Sequence, residues 1–343
     1  KRRIMNRLNI FGIAVLALSC SGSDAEARSY LESQGISVTE LKKDGAAFKY
    51  TGKKGDEICS GTVTIKKGLG TSQQSHTNSC VRDTSACKPG AAAACVKLAD
   101  EFYGREAKVF PKQAAEFYRL ACADGDGHAC ARAGEFEAIG KNWSKVREYS
   151  QKACELGNGD ACARLGLTEL EGLGTDKNPT TALKLMKKAC EKASMRGCRN
   201  AAGVLLDQEA SDPEGAVPFA TKACTAKFED ACFVLGLALF RAKKEYSTAF
   251  IHLEASCNDE AFKKRGVACN IAGVMAAEGL GMEKDAARGL PLFEKACASD
   301  YPDGCSNSGK LYKKGLGVDQ DKTKADEFFA KACKLGLNEY CEK

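Results

Sequence analysis

Along the last three quarters of the chain, small and apolar residues fall into columns that repeat in step with the cysteines. An alanine stands just before a cysteine at Ala121, Ala153, Ala189, Ala223, Ala296 and Ala332, and another stands eight positions before that cysteine at Ala114, Ala182, Ala216, Ala249 and Ala325. Small residues along one helical face let two helices approach closely. A second cysteine follows eight positions after the first and opens the next helical stretch, with a glycine four later at Gly134, Gly166, Gly236, Gly273 and Gly309. Those stretches stop at Gly172-Leu173-Gly174, Gly279-Leu280-Gly281 or Gly315-Leu316-Gly317, where glycine can take the left-handed conformation that ends a helix. Seven helix pairs are predicted. Their first helices lie near residues 94–103, 130–139, 162–171, 198–209, 232–243, 269–278 and 305–314. The return helices lie near 112–123, 144–156, 180–193, 213–226, 246–257, 286–298 and 322–335. Each pair can bury its apolar face only against its neighbours, so the array is a solenoid.

The first part of the chain is patterned differently. Lys1 is not a methionine, and we read a start at Met5: Asn6-Arg7 is a short basic region, and Leu8 to Leu18 is an apolar run too short to span a bilayer. It reads as a signal peptide over residues 1–19. After a tether, Ala25 to Gln34 looks helical and ends at Gly35. Ile36-Ser37-Val38-Thr39, Ala46-Ala47-Phe48-Lys49-Tyr50 and Gly61-Thr62-Val63-Thr64-Ile65 then alternate apolar and polar residues between glycine turns, which predicts short antiparallel strands. Gly68 to Asn78 is Ser, Thr, Gln and Gly without periodicity and is expected to be a flexible loop. Residues 20–86 therefore form a small α+β domain ahead of the repeats at 87–343.

The repeat resembles a known family. Lys331-Ala332-Cys333 closing one helix, Gly315-Leu316-Gly317-Val318-Asp319 and Lys324-Ala325 resemble the Sel-one-like repeat, a relative of the tetratricopeptide repeat. The cysteine spacing resembles its cysteine-rich bacterial form, the Helicobacter cysteine-rich protein family. The unit after Cys232 departs from the pattern in lacking the Gly-Leu-Gly turn, and the unit after Cys198 shifts its glycine to Gly203. The resemblance implies an all-α, right-handed solenoid of helix pairs cross-linked by disulfides. The implied bridges are Cys87–Cys95, Cys122–Cys130, Cys154–Cys162, Cys190–Cys198, Cys224–Cys232, Cys257–Cys269, Cys297–Cys305 and Cys333–Cys341. In the chain-entropy model each small ring contributes about 2.5 kcal/mol. Seven of these pairs share one spacing, and Cys257/Cys269 is stretched by four residues around Phe262-Lys263-Lys264-Arg265. Zinc is the competing reading of clustered cysteines, but there is no C-x-x-C, and the only histidines are His76, His128 and His252.

Of 19 cysteines, the eight pairs leave Cys59 and Cys80 to match each other, and Cys20 as the odd one. Leu16-Ala17-Leu18-Ser19-Cys20 resembles a bacterial lipoprotein processing site, which makes Cys20 the lipid-modified N-terminus of the mature chain. Dense pairing belongs to an oxidising compartment. Removing residues 1–19 also changes the charge. The whole chain carries 51 basic and 45 acidic side chains, but Lys1, Arg2, Arg3 and Arg7 lie ahead of Cys20, and the remainder is close to neutral. That balance excludes a nucleic-acid surface, which needs clustered positive charge.

Candidate chemistry is sparse, and no catalytic, cofactor-binding or metal-ligating set stands out. The family resemblance also implies β-lactamase or penicillin-binding hydrolysis as an alternative. Ser85-Ala86-Cys87-Lys88 is the sole S-x-x-K, and neither K-T-G nor S-D-N accompanies it. A second alternative is an envelope assembly factor with thiol exchange, for which the stretched Cys257/Cys269 pair is the place to look. Trp143, the single tryptophan, is either a ligand anchor or a packing staple of a shortened turn. The reading is an envelope lipoprotein, lipid-anchored or secreted. It acts as a monomeric scaffold whose rigid helical surface binds a protein, peptide or peptidoglycan-like ligand, touches membrane through its lipid anchor only, and has no nucleic-acid partner.

Overall fold

The computed structural model describes residues 23–44, 47–54, 57–67, 72–82, 84–105, 111–207, 212–228 and 230–341. Two compact units meet at the boundary after Lys88. Cys20 and the apolar run before it lie outside the described residues.

The N-terminal unit begins with helix α1 (Asp24–Ser33), held at its start by a reciprocal cap in which the Ser23 hydroxyl accepts from the Glu26 N–H and the Glu26 carboxylate accepts from the Ser23 N–H. Strands β1 (Ser37–Asp44), β2 (Ala47–Lys54), β3 (Glu57–Lys67) and β4 (Ser72–Arg82) follow as an antiparallel meander in sequence order. The helix sits on one sheet face over Leu31, Ile36, Phe48, Tyr50, Cys59 and Val63. Gly52 permits the closest approach, because a Cβ there would lie 2.6 Å from the Ser37 carbonyl oxygen. The expected loop over Gly68 to Asn78 is corrected, since most of it belongs to β4, which pairs with β3 along its whole length. A strand at the edge of a sheet is held by its ladder hydrogen bonds and can be polar throughout, so it carries no apolar alternation. The β3–β4 register sets Cys59 directly opposite Cys80, and Cys59 is disulfide-bonded.

The second unit holds seven helix pairs among the described residues. They are α2 (Ala92–Arg105) with α3 (Pro111–Ala123), α4 (Gly127–Ile139) with α5 (Trp143–Glu155), α6 (Gly159–Glu171) with α7 (Pro179–Glu191), and α8 (Met195–Leu205) with α9 (Pro213–Thr225). Then follow α10 (Ala231–Arg241) with α11 (Tyr246–Asn258), α12 (Arg265–Glu278) with α13 (Ala286–Ala298), and α14 (Pro302–Lys314) with α15 (Lys322–Lys334). Several first helices start earlier than their second cysteine suggests. Asp126, Asn158 and Ser194 are N-caps whose side chains accept from the N–H of Ala129, Ala161 and Gly197, so the second cysteine sits in the first turn rather than at its head.

Disulfides bridge the last turn of each return helix from α3 to α13 to the first turn of the next helix. They are Cys122–Cys130, Cys154–Cys162, Cys190–Cys198, Cys224–Cys232, Cys257–Cys269 and Cys297–Cys305; Cys333–Cys341 ties the end of α15 to the tail. Cys87 and Cys95 are disulfide-bonded as well. Three residues after the first cysteine the chain turns through the left-handed region. Glycine does this at Gly125, Gly157 and Gly336, but Ala193, Lys227 and Asp300 do it with a side chain attached. The stretched ring takes up its extra residues by docking Phe262 on Phe233 of α10, ring centroids 5.1 Å apart, while the Arg265 guanidinium donates to the Cys257 carbonyl.

Within a pair, the glycine column is where the two helices touch. A Cβ at Gly166 would meet Met186 at 3.0 Å, at Gly236 Leu253 at 2.9 Å, at Gly273 Phe293 at 2.7 Å and at Gly309 Phe329 at 2.7 Å. Met186, Leu253, Phe293 and Phe329 each stand four residues before a first cysteine, so an absent side chain on one helix receives a large one from the other. In the α8/α9 pair both positions are alanine, Ala202 and Ala220, which is why its glycine is free to move to Gly203. Between pairs, the second glycine of each Gly-Leu-Gly turn seats on the start of the previous return helix: Gly174 on Trp143, Gly281 on Tyr246 and Gly317 on Ala286.

Candidate functional site

The first helices of neighbouring pairs touch one another from α6 to α8, α8 to α10 and α12 to α14, and side chains join α2 to α4 and α4 to α6, so they line up as a wall in two stretches, α2 to α10 and α12 to α14. Two equivalent positions recur on each, two and five residues after the second cysteine; the later one is exposed or half-buried in every pair, whereas the earlier one is buried at Val234. At the second of these the side chain is Asp100, Glu135, Leu167, Gly203, Leu237, Val274 and Lys310 in turn; at the first, Lys97, Arg132 and Arg164 stand beside the acidic residues, and both arginines pair with Glu135, so the constant feature is the aliphatic middle. Leu167 is exposed, and Leu237, Ile271 and Val274 are half-buried. Side-chain bridges lock adjacent helices of the wall together. Arg164 on α6 donates to Glu135 of α4 at 2.6 Å and to the Ala131 carbonyl at 2.9 Å, and Asn307 donates to Asn270 at 2.9 Å.

The α2 end of the wall carries the densest polar and aromatic cluster. The Arg132 guanidinium lies 4.5 Å over the Tyr103 ring and 5.7 Å over Tyr118. Phe136 packs edge-on to Tyr103 and obliquely on Tyr118. Burial and a hydrogen bond to the Asp100 carboxylate push the Tyr118 hydroxyl up to about 12, so it stays a donor at any physiological pH. A hollow of about 570 Å³ opens beside this cluster, lined by Ala93, Val96, Lys97, Asp100, Glu101 and Asp126. Its mixed lining offers apolar floor and carboxylate edges to a ligand, without a paired acid and base held for proton transfer.

Other residues singled out in the sequence are scattered. Trp143 opens α5, is half-buried, and receives Gly174 of the next turn on its backbone, which is the packing role. His128 lies beside Tyr118 at the α2 end, and His252 is on α11. His76 is placed by its backbone alone, opposite Val63 on β4. Ser85 and Lys88 are exposed on the turn before α2, and Cys87 between them is disulfide-bonded. Cys257 and Cys269 are both fully buried, so the stretched bridge is closed to exchange partners.

The Lys-Ala-Cys step that carries the family resemblance has a structural role that sequence reading did not assign. Lys222 donates to the Cys190 carbonyl at 2.9 Å, Lys331 to Cys297 at 2.8 Å, and Lys152 to Cys122, each closing the free end of the preceding return helix. The signal was there in the recurring Lys-Ala-Cys, which a surface lysine has no reason to keep in register.

The family comparison matches this periodicity. A Sel1 repeat model aligns with residues 92–126, 147–158, 159–194, 266–301 and 302–337. These stretches carry Sel1 repeats. The Sel1 model passes over 127–146 and 195–265; neither stretch has a Gly-Leu-Gly turn, and in the second α8 has its glycine shifted to Gly203. Among solved structures, the Sel1 array is similar to c5321 of uropathogenic Escherichia coli, a protective antigen displaying an SLR fold. The two are 23% identical with a TM-score of 0.58 over 73% of this chain and 55% of that one, so this chain spans about half that protein's length. A Sel1 repeat protein from Oxalobacter formigenes is 20% identical over 75% of this chain and 86% of that one, with a TM-score of 0.45. Helicobacter pylori cysteine rich protein B is 22% identical over 48% of this chain and 93% of that one, with a TM-score of 0.24. No curated protein matches. A Sel1 array of this kind is a scaffold suited to protein binding, and its many disulfides are the chemistry of an oxidising, extracytoplasmic location. No described helix is long and apolar enough to cross a membrane.

Proposed function

We propose that the protein is an envelope lipoprotein, anchored through Cys20, whose first-helix wall binds an extended segment of a protein partner. The observation that carries this reading is the wall itself, whose row of equivalent positions is aliphatic in the middle at Leu167, Leu237 and Val274. The segment that complements it is aliphatic in the middle. Disulfides at every junction hold the wall rigid, so little ordering entropy is lost when the segment docks. The anchor rests on the Leu16-to-Cys20 sequence and on Cys20 being left over once the other cysteines are paired.

Selection from a random-peptide library on the oxidised protein tests the wall. Peptides with an aliphatic centre should be enriched, and Leu167→Glu with Leu237→Glu should weaken their binding at least tenfold. Ile251→Glu, on a second helix where Ile251 is 63% exposed, should leave it unchanged. Equal binding by all variants, or retention of purified peptidoglycan fragments in place of peptides, overturns the reading. Intact mass of the mature protein from its native membrane reports acylation at Cys20, and an unmodified mass removes the anchor.

A further inference from the structure

The Cys224–Cys232 disulfide stands apart from the other bridges between helices in access and in what lies against it. Cys224 is 8% exposed and Cys232 is half-buried, whereas both sulfurs of the bridges at Cys154–Cys162, Cys257–Cys269 and Cys297–Cys305 are sealed in the core. Against it lies His252 of α11, five residues before the next first cysteine. The equivalent residues of the other return helices are Phe117, Tyr149, Leu185, Phe219, Leu292 and Phe328, all bulky aromatic or aliphatic side chains. Here a ring nitrogen of His252 and the two sulfurs all lie within 4.8 Å of one another. The imidazole makes no hydrogen bond among the described residues, and burial holds its pKa below the usual histidine value, which keeps it neutral with a lone pair to give.

We propose that Cys224, Cys232 and His252 form a redox-gated metal site, closed while the disulfide is intact and open to a d10 ion such as Zn²⁺ once it is reduced. Two electrons and two protons from a dithiol, which itself closes to a disulfide, turn the bridge into two thiols. The ion then displaces both thiol protons to solvent and takes two thiolates and one neutral imidazole, leaving a fourth position for water. The sulfurs must move apart from bonding distance to about 3.7 Å for tetrahedral ligation with metal–sulfur bonds of about 2.3 Å. Side-chain rotation supplies that movement, since the two Cα atoms are only 4.5 Å apart and on helices whose backbones stay packed. Thiolate and imidazole donors select zinc or copper(I) over magnesium and calcium.

The test uses the full chain and a water-soluble phosphine, which takes an oxygen from water and leaves both sulfurs as thiols without ligating the ion strongly. Alkylation with peptide mapping at a limiting dose should find Cys224 and Cys232 opened before Cys154, Cys162, Cys257 and Cys269. With Cys333 and Cys341, a bridge half-buried on both sides, replaced by serine in every sample, cobalt(II) should bind in one equivalent and give thiolate-to-cobalt charge-transfer absorption, which zinc abolishes. His252→Leu, which restores the aliphatic residue of Leu185 and Leu292, should open the same pair but bind cobalt at least tenfold more weakly. Cys224→Ser with Cys232→Ser should give no absorption at the same dose. Equal cobalt affinity in His252→Leu, absorption that survives in the double serine variant, or a buried pair opening first overturns the proposal. Loss of far-UV helix signal on limited reduction overturns it too, because the three ligands meet only in the folded array.

Discussion

At the scale of single residues, the turns inside the disulfide rings show a constraint that is met in two ways. Three of the rings use glycine for the left-handed residue, while Ala193, Lys227 and Asp300 hold φ near +54° to +61° with a Cβ in place. That conformation costs an ordinary residue about 1–2 kcal/mol, partly offset by its smaller loss of backbone freedom on folding. Ala193 is exposed, so its replacement changes little but the backbone. Ala193→Gly should therefore stabilise the array by about 0.5–1 kcal/mol, read as a rise in urea midpoint at unchanged slope. A fall in midpoint would mean that the alanine methyl makes a contact the turn needs. Residues of this kind were only half legible. Gly125, Gly157 and Gly336 announce the turn in the sequence, whereas Ala193 carries no mark of it until the repeats are laid over one another. His252 was illegible for a related reason: by itself it is a histidine beside Leu253, and it gains meaning only against Tyr149, Leu185 and Phe219 in the same column.

At the scale of helices, two glycines with the same sequence context have opposite consequences. Gly273 faces Phe293, and an added Cβ would lie 2.7 Å from its ring, whereas a Cβ at Gly203 would have nothing nearer than the end of the Arg199 side chain at 4.0 Å. Gly273→Ala should destabilise by about 1–3 kcal/mol through overpacking. Gly203→Ala should stabilise by up to about 1 kcal/mol through helix propensity alone. Thermal melts of the two variants check the pair, and a matching shift in both would show that propensity, not interhelical contact, governs this column. The helices themselves were readable, because cysteine, alanine and glycine keep step for seven units. Their starts were displaced by about a turn, since the caps at Asp126, Asn158 and Ser194 are polar residues that look like loop. The fourth strand was unreadable for the opposite reason, being held by backbone pairing that leaves no apolar trace.

At the scale of the molecule, a solenoid of helix pairs couples each unit chiefly to its neighbours. Cys224→Ser with Cys232→Ser should lower protection from hydrogen exchange in α9, α10 and α11, by an amount near the 2.5 kcal/mol that the chain-entropy model assigns to so short a ring. Helices α14 and α15 should keep theirs. Uniform loss across all pairs would contradict nearest-neighbour coupling. The order and class of the fold were legible from periodicity, because every unit must solve the same packing problem. The face that meets a ligand was not, since its positions differ from unit to unit and become a surface only when α6, α8 and α10 stand side by side.

The bridges also alter what cleavage can do. Six of the rings close a loop that holds a left-handed residue, at Gly125, Gly157, Ala193, Lys227, Asp300 and Gly336. A protease that cuts between Cys122 and Cys130, or between Cys154 and Cys162, opens that loop but frees no fragment, since the two sides stay covalently joined. A chain nicked at several junctions would still migrate as one species until reduced. Nor could a return helix part from the first helix of the next pair.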